Sequence, residues 1–116
     1  MYKYTKIDIL RSVFNMANRR MYLDKSEITV LIPGKKKVED VHLSSGQITR
    51  IQFDKCTERM LLVIPQQSEK ITIVSSKRAN PIVMTKGQNK AFFEQYKTEL
   101  AQYAKEYNVT FTDNTK

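Results

Sequence analysis

The chain has 116 residues and one cysteine, with 20 Lys plus Arg against 12 Asp plus Glu, for a formal charge of +8. That length suits one domain with a real core, and a lone Cys56 excludes an intrachain disulfide. No apolar run approaches the roughly 18 residues that a bilayer-spanning helix needs, and Asp8, Arg11, Ser12 and Asn15 interrupt any secretory h-region behind the charged start. A cytoplasmic, reducing setting is therefore the expectation.

Residues 5–20 read as a first helix. Thr5 is placed to cap it and Asp8 follows near the positive end of the dipole. Ile7, Leu10, Val13 or Phe14, and Ala17 fall at helical spacing, and Arg19 and Arg20 close it where cations are favoured. Ile7, Ile9, Val13 and Phe14 would also suit a strand.

Strands are expected over about 27–84. Asp24, Lys25 and Ser26 form a polar break. A β-branched run over 28–32 then ends at Pro33-Gly34, a strong turn signal. Lys35, Lys36 and Lys37 follow at the tip. Val38, Val41 and Leu43 mark a short extended piece, and Ser44, Ser45 and Gly46 break it. Residues 48–53 form a strand with Ile51 and Phe53 on one face. Residues 54–59 are polar and turn-like. The five apolar residues 60–64 read as a strand buried on both sides, and 66–70 as a hairpin loop. Residues 71–74 and 82–84 are further strands, separated by a loop with Lys77 and Arg78.

The clearest element is a helix over about 86–107. Phe92, Tyr96, Leu100, Tyr103 and Tyr107, with Ala104, share one face. Thr85 and Gln88 have capping-box spacing, and Asn108 suits the left-handed residue that ends a helix. Residues 109–111 form a final short strand or a packed tail, within a single domain over 1–112, and 113–116 are expected to be disordered. Consecutive strands followed by one long helix predict an α+β fold: a bent antiparallel sheet of five to seven short strands, closed by the C-terminal helix and preceded by an N-terminal one.

This order of elements from Glu27 to Tyr107 resembles bacterial pleckstrin-homology-like (PH-like) domains: consecutive hairpins closed by a C-terminal amphipathic helix. The resemblance rests on element order and hydrophobic spacing, and the first helix is an addition to it. It implies a non-catalytic binding or scaffold module. In lipid-binding members basic residues of the first hairpin loop grip phosphates, and Lys35, Lys36 and Lys37 occupy the corresponding position here.

The residues themselves argue against several chemistries. One His and one Cys leave no zinc or iron ligand set, and no cofactor is expected. Three glycines form no phosphate-cradling loop. His42 and Cys56 are the one pair able to act as base and nucleophile, and no acid pair stands out among Asp40, Asp54, Glu58 and Glu69. The chain therefore reads as a binding protein and not an enzyme. Its candidate anion or partner contacts are Arg19, Arg20, Lys35, Lys36, Lys37, Lys77 and Arg78. A protein partner or self-association, through sheet edges, the first helix or a groove beside the last helix, is the leading expectation. A nucleic acid held by the basic surface is the alternative, with Lys3, Lys6, Arg11, Lys86 and Lys90 adding charge and Tyr2, Tyr4 and Tyr22 able to stack on bases. Docking on an anionic lipid surface, without membrane integration, is the third.

Overall fold

The computed structural model describes residues 19–34, 36–60 and 64–116. The elements are β1 (Arg20–Asp24), β2 (Glu27–Pro33), β3 (Val38–Ser44), β4 (Ile48–Met60), β5 (Ile64–Ser75), β6 (Ile82–Thr85), α1 (Phe93–Glu106) and β7 (Thr110–Asp113). The fold is α+β, with two sheets and one helix among the described residues.

The first sheet is an antiparallel meander, β1-β2-β3. Its turns fall where the sequence is polar or contains Pro-Gly. Asp24 pairs with Glu27 around a two-residue loop in which Lys25 takes φ 55°, the left-handed region. Pro33 pairs with Val38, and Gly34 N–H donates to the Lys37 carbonyl at 2.9 Å. A single 3-10 turn, Ser45–Gln47, carries the chain to the second sheet.

The second sheet has the order β6-β5-β4-β7. β4 and β5 form a long hairpin that pairs Ile48 with Ser75 at one end and Met60 with Ile64 at the other, with Ile51 opposite Ile73. β7 joins the far side of β4 in parallel, with Ile51 opposite Phe111. A parallel neighbour needs a long crossover, and β5, β6 and α1 provide it.

One hydrophobic cluster takes side chains from both sheets and from the helix. The strands contribute alternate residues, as a period of two requires: Ile28 and Val30, Val41 and Leu43, Ile51 and Phe53, Ile71 and Ile73, Ile82 and Met84. α1 contributes Phe93, Tyr96, Leu100, Tyr103 and Ala104. Phe111 meets Phe53 edge-on at 4.9 Å. No helix among the described residues is long and apolar enough to cross a membrane.

Several expectations are corrected. The first helix, 5–20, lies outside the described residues except at its end, where Arg19 is irregular and Arg20 opens β1. Residues 54–59 and 66–70 are strand, not turn and loop. They pair with each other: Asp54 with Lys70, Lys55 with Glu69, Cys56 with Ser68. Cross-strand partners of opposite charge make such polar segments good strands. The expected strand over 60–64 is not one strand: Met60 ends β4 and Ile64 begins β5, and the two pair with each other; residues 61–63 lie outside those described. Residues 113–116 are expected from sequence to be disordered, but Asp113 is in β7 and Asn114 N–H donates to the Phe53 carbonyl at 2.8 Å. Lys97 of α1 bridges Glu69 at 2.7 Å and Thr115 at 3.3 Å. These bonds tie the helix to β5 and to the tail. Asn108 does take the left-handed conformation, φ 55°, and Val109 N–H bonds back to Ala104.

The Tyr103 hydroxyl donates to the Ser26 carbonyl at 2.5 Å and fastens α1 to the β1–β2 turn. Burial, then the neighbouring Tyr107, pushes its pKa up to about 12 from 10.0. The folded chain therefore keeps a proton that the unfolded chain releases. The stabilisation is full below pH 10 and is lost as pH rises from about 10 to 12. Tyr103→Phe is expected to lower neutral-pH stability by about 1–2 kcal/mol, because it strands a carbonyl, and to flatten this alkaline loss. Urea melts from pH 7 to 11.5 check it; an equally steep decline in both proteins would refute it.

Candidate functional site

The connection between β6 and α1, residues 86–92, is a run of turns too polar to extend the strand and too tightly hydrogen-bonded to be loose. Thr85 organises it. Its Oγ1 accepts from Gln88 N–H at 3.3 Å, and its carbonyl accepts from Asn89 N–H and from Asn89 Nδ2, each at 3.1 Å. The capping-box residue therefore caps a turn and not the helix, which starts at Phe93 with Phe92 as its N-cap.

Asn89 is one of two buried polar residues among those described, 7% exposed. Its Oδ1 accepts from Arg19 N–H at 2.9 Å. The Arg19 guanidinium donates to the Val83 carbonyl at 2.5 Å. Burial lowers the Arg19 pKa, the nearby Arg78 lowers it further, and Glu39 works against both. The start of β1 is thus lashed to β6 and to the turn before α1.

Arg20 next to it is exposed. Its guanidinium lies 5.4 Å from the centre of the Phe92 ring, a cation–π distance. Phe92 in turn stacks on Tyr96, 6.1 Å between centres and 23° between planes. The result is a concavity of about 270 Å³ lined by Arg19, Arg20, Gly87, Gln88, Asn89, Lys90, Ala91 and Phe92. Three of these residues are cationic and none is acidic.

A smaller concavity of about 170 Å³ adjoins it through Gly87 and Lys90, and it contains Glu58, Ser68 and Lys86. The Glu58 carboxylate accepts from Ser68 Oγ at 2.5 Å and from Gly87 N–H at 2.9 Å. Burial opposes its charge, but the bonds from Ser68, Thr85 and Gly87 outweigh burial and hold its pKa below the usual value. A Cβ at position 87 would sit 2.5 Å from Glu58 Oε2, so a side chain there would push that carboxylate aside. At the other end of the β1–α1 seam a third concavity, about 320 Å³, includes Leu23, Lys25, Tyr103, Glu99 and Glu106. The seam is therefore basic at one end and largely acidic at the other.

The candidate contacts separate on folding. Arg19 and Arg20 share the basic concavity, joined there by Lys90. Lys36 and Lys37 are exposed at the β2–β3 turn; Lys35 lies outside the described residues. Lys77 and Arg78 are engaged elsewhere: Lys77 Nζ donates to the His42 carbonyl at 3.1 Å, and Arg78 pairs with Glu39 at 2.8 Å. His42 and Cys56 lie on different sheets, β3 and β4. His42 Nδ1 is 3.0 Å from Thr29 Oγ1 and 3.2 Å from Glu27 Oε1. Burial, then the Glu58 charge, pushes the Cys56 thiol up, the opposite direction to an activated thiolate. Among the described residues no group of three or more His, Cys, Asp or Glu is placed to hold a metal ion.

Side chains also occupy edge groups of β1, β3 and β6. Arg19 and Met21, at the outer edge of β1, donate their N–H groups to Asn89 and to the Tyr96 hydroxyl, the latter at 3.3 Å. The Val83 carbonyl of β6 is taken by Arg19 and the His42 carbonyl of β3 by Lys77. An added strand would have to displace these partners.

Sequence reasoning had found Arg19, Arg20 and Lys90 as basic residues, but not Asn89 or the exposure of Phe92. A lone Asn in a polar stretch carries no mark of burial. Compared with protein families, with curated proteins and with solved structures, the chain shows no match.

Proposed function

We propose that this protein is a non-catalytic binding module of PH-like organisation that engages an anionic partner at the concavity formed by Arg19, Arg20 and Lys90. The observation that carries it is the lining itself: three cationic residues and one exposed aromatic ring, without a carboxylate, where the start of β1 meets turns bonded to it by a buried Asn. Fixed cations around a concave surface attract an anion at little cost in ordering. The PH-like reading is supported by antiparallel strands in two sheets closed by a helix. It departs from that pattern in β7, which follows the helix and pairs in parallel with β4. A reducing, cytoplasmic setting fits the single free Cys56. Strand addition by a peptide is disfavoured where Asn89, Tyr96, Arg19 and Lys77 already occupy edge groups.

Heparin chromatography across a salt gradient tests the proposal. Wild type is expected to be retained in a salt-dependent way. Arg20→Ala combined with Lys90→Ala should elute at clearly lower salt, and a larger shift than that of Lys36→Ala with Lys37→Ala is expected. Passage of the wild-type protein through the column at low salt, or co-elution of the Arg20/Lys90 variant with it, would overturn the assignment. A larger shift from the Lys36/Lys37 variant would move the site to the hairpin tip, where an anionic lipid surface is the natural partner.

A further inference from the structure

We infer that the anionic partner is a single-stranded nucleic acid, with bases stacked on Phe92 and Tyr22 and phosphates held by Arg20 and Lys90. This rests on the anion-binding reading and adds the class of ligand. Among the described residues, the two exposed large hydrophobic side chains are Tyr22, 46% exposed, and Phe92, 40% exposed. Both are aromatic and both adjoin Arg20. Phe92 lies beneath the Arg20 guanidinium at 5.4 Å. Tyr22 is two residues along β1, hence on the same face of the strand as Arg20 and about 6.5–7 Å further on. Aromatic platforms interleaved with cations are the pattern by which proteins hold unpaired bases without reading sequence.

The geometry also gives Arg20 two positions. In the free protein it covers the Phe92 ring. A base arriving on that ring takes the covered face, and the long Arg side chain swings to the adjoining phosphate. Tyr96 also packs against Phe92, 6.1 Å between ring centres, a contact that does not depend on Arg20. The bound strand runs from Lys90 past Phe92 to Tyr22 and stops there, because Glu99 and Glu106 line the next concavity and repel phosphate. A lipid headgroup offers no flat face to either ring, and a duplex keeps its bases stacked on one another, so neither uses the aromatics in this way.

The test is fluorescence anisotropy with a labelled thymidine oligomer of about ten nucleotides, a duplex of equal length, and vesicles containing phosphatidylserine, each across a salt series. Phe92→Leu and Tyr22→Leu keep apolar bulk on the surface but remove the π-face, and each should melt like wild type. Each is expected to weaken binding of the single strand by about 5- to 150-fold with an unchanged salt slope. Arg20→Ala with Lys90→Ala should reduce that slope by about 1.4, from two lost phosphate contacts. Equal binding of duplex and single strand, with no effect of either Leu variant, would overturn the stacking inference and leave the anion site standing. Binding to vesicles but not to the oligomer would assign the site to a membrane surface and overturn it too. Absence of salt-sensitive binding to any of the three, together with no heparin retention, would remove both readings.

Discussion

Phe93→Ala is expected to destabilise the protein by about 3–5 kcal/mol, whereas Phe92→Ala should cost less than about 1 kcal/mol. The neighbours differ because the helix begins between them. Phe93, 1% exposed, is the first helical residue and enters the core with Tyr96, Leu100 and Tyr103. Phe92, with φ −124° and ψ 0°, sits outside the helix and keeps 40% of its surface in solvent. Its ring loses the contacts with Arg20 and Tyr96. Denaturant melts of the two variants check the pair, and equal losses would mean that the helix begins a residue earlier.

Asn89→Ala is the second large effect, about 1–3 kcal/mol. The buried amide joins two elements, accepting from Arg19 N–H and donating to the Thr85 carbonyl. Its loss leaves the part-buried Arg19 N–H without its partner, while the Thr85 carbonyl keeps its bond from Asn89 N–H. The substitution removes no charge. If the turn around Asn89 holds the basic concavity in shape, heparin retention should still fall along with stability. Reduced stability with unaltered retention would assign Asn89 to the scaffold alone.

The last helix was legible because its apolar residues repeat at helical spacing, and Asn108 marked its end. The sequence pattern placed Phe92 in the stripe because Phe92 and Tyr96 stand four apart. The pattern could not show that the turns around Asn89 delay the first helical residue to Phe93. The hairpin of β4 and β5 was legible in its inner half, where Ile51, Phe53, Ile71 and Ile73 alternate. Its outer half was read as loops on either side of a buried strand. There the side chains are polar, with Asp54 opposite Lys70 and Lys55 opposite Glu69, and their strand character exists only in the pairing. The basic site was half legible. Charge counting found Arg19, Arg20 and Lys90, but it counted Lys77 and Arg78 equally, and those two are occupied by His42 and Glu39.

By itself the sequence determined the α+β class, the shared inward face of Ile51 and Phe53, the helix stripe through Tyr96, Leu100, Tyr103 and Ala104, and the lack of a second cysteine for an intrachain disulfide. These follow from local periodicity and composition, which neighbouring elements do not alter. Only the tertiary structure decided the division into two sheets, the parallel docking of β7 and the length of the central hairpin. Strand partners are chosen by residues far apart in the chain. The tertiary structure also decided which cations stay free. A surface charge is neutralised or released by what folds beside it, so Arg20 and Lys90 border a concavity with Phe92 while Arg78 is paired with Glu39.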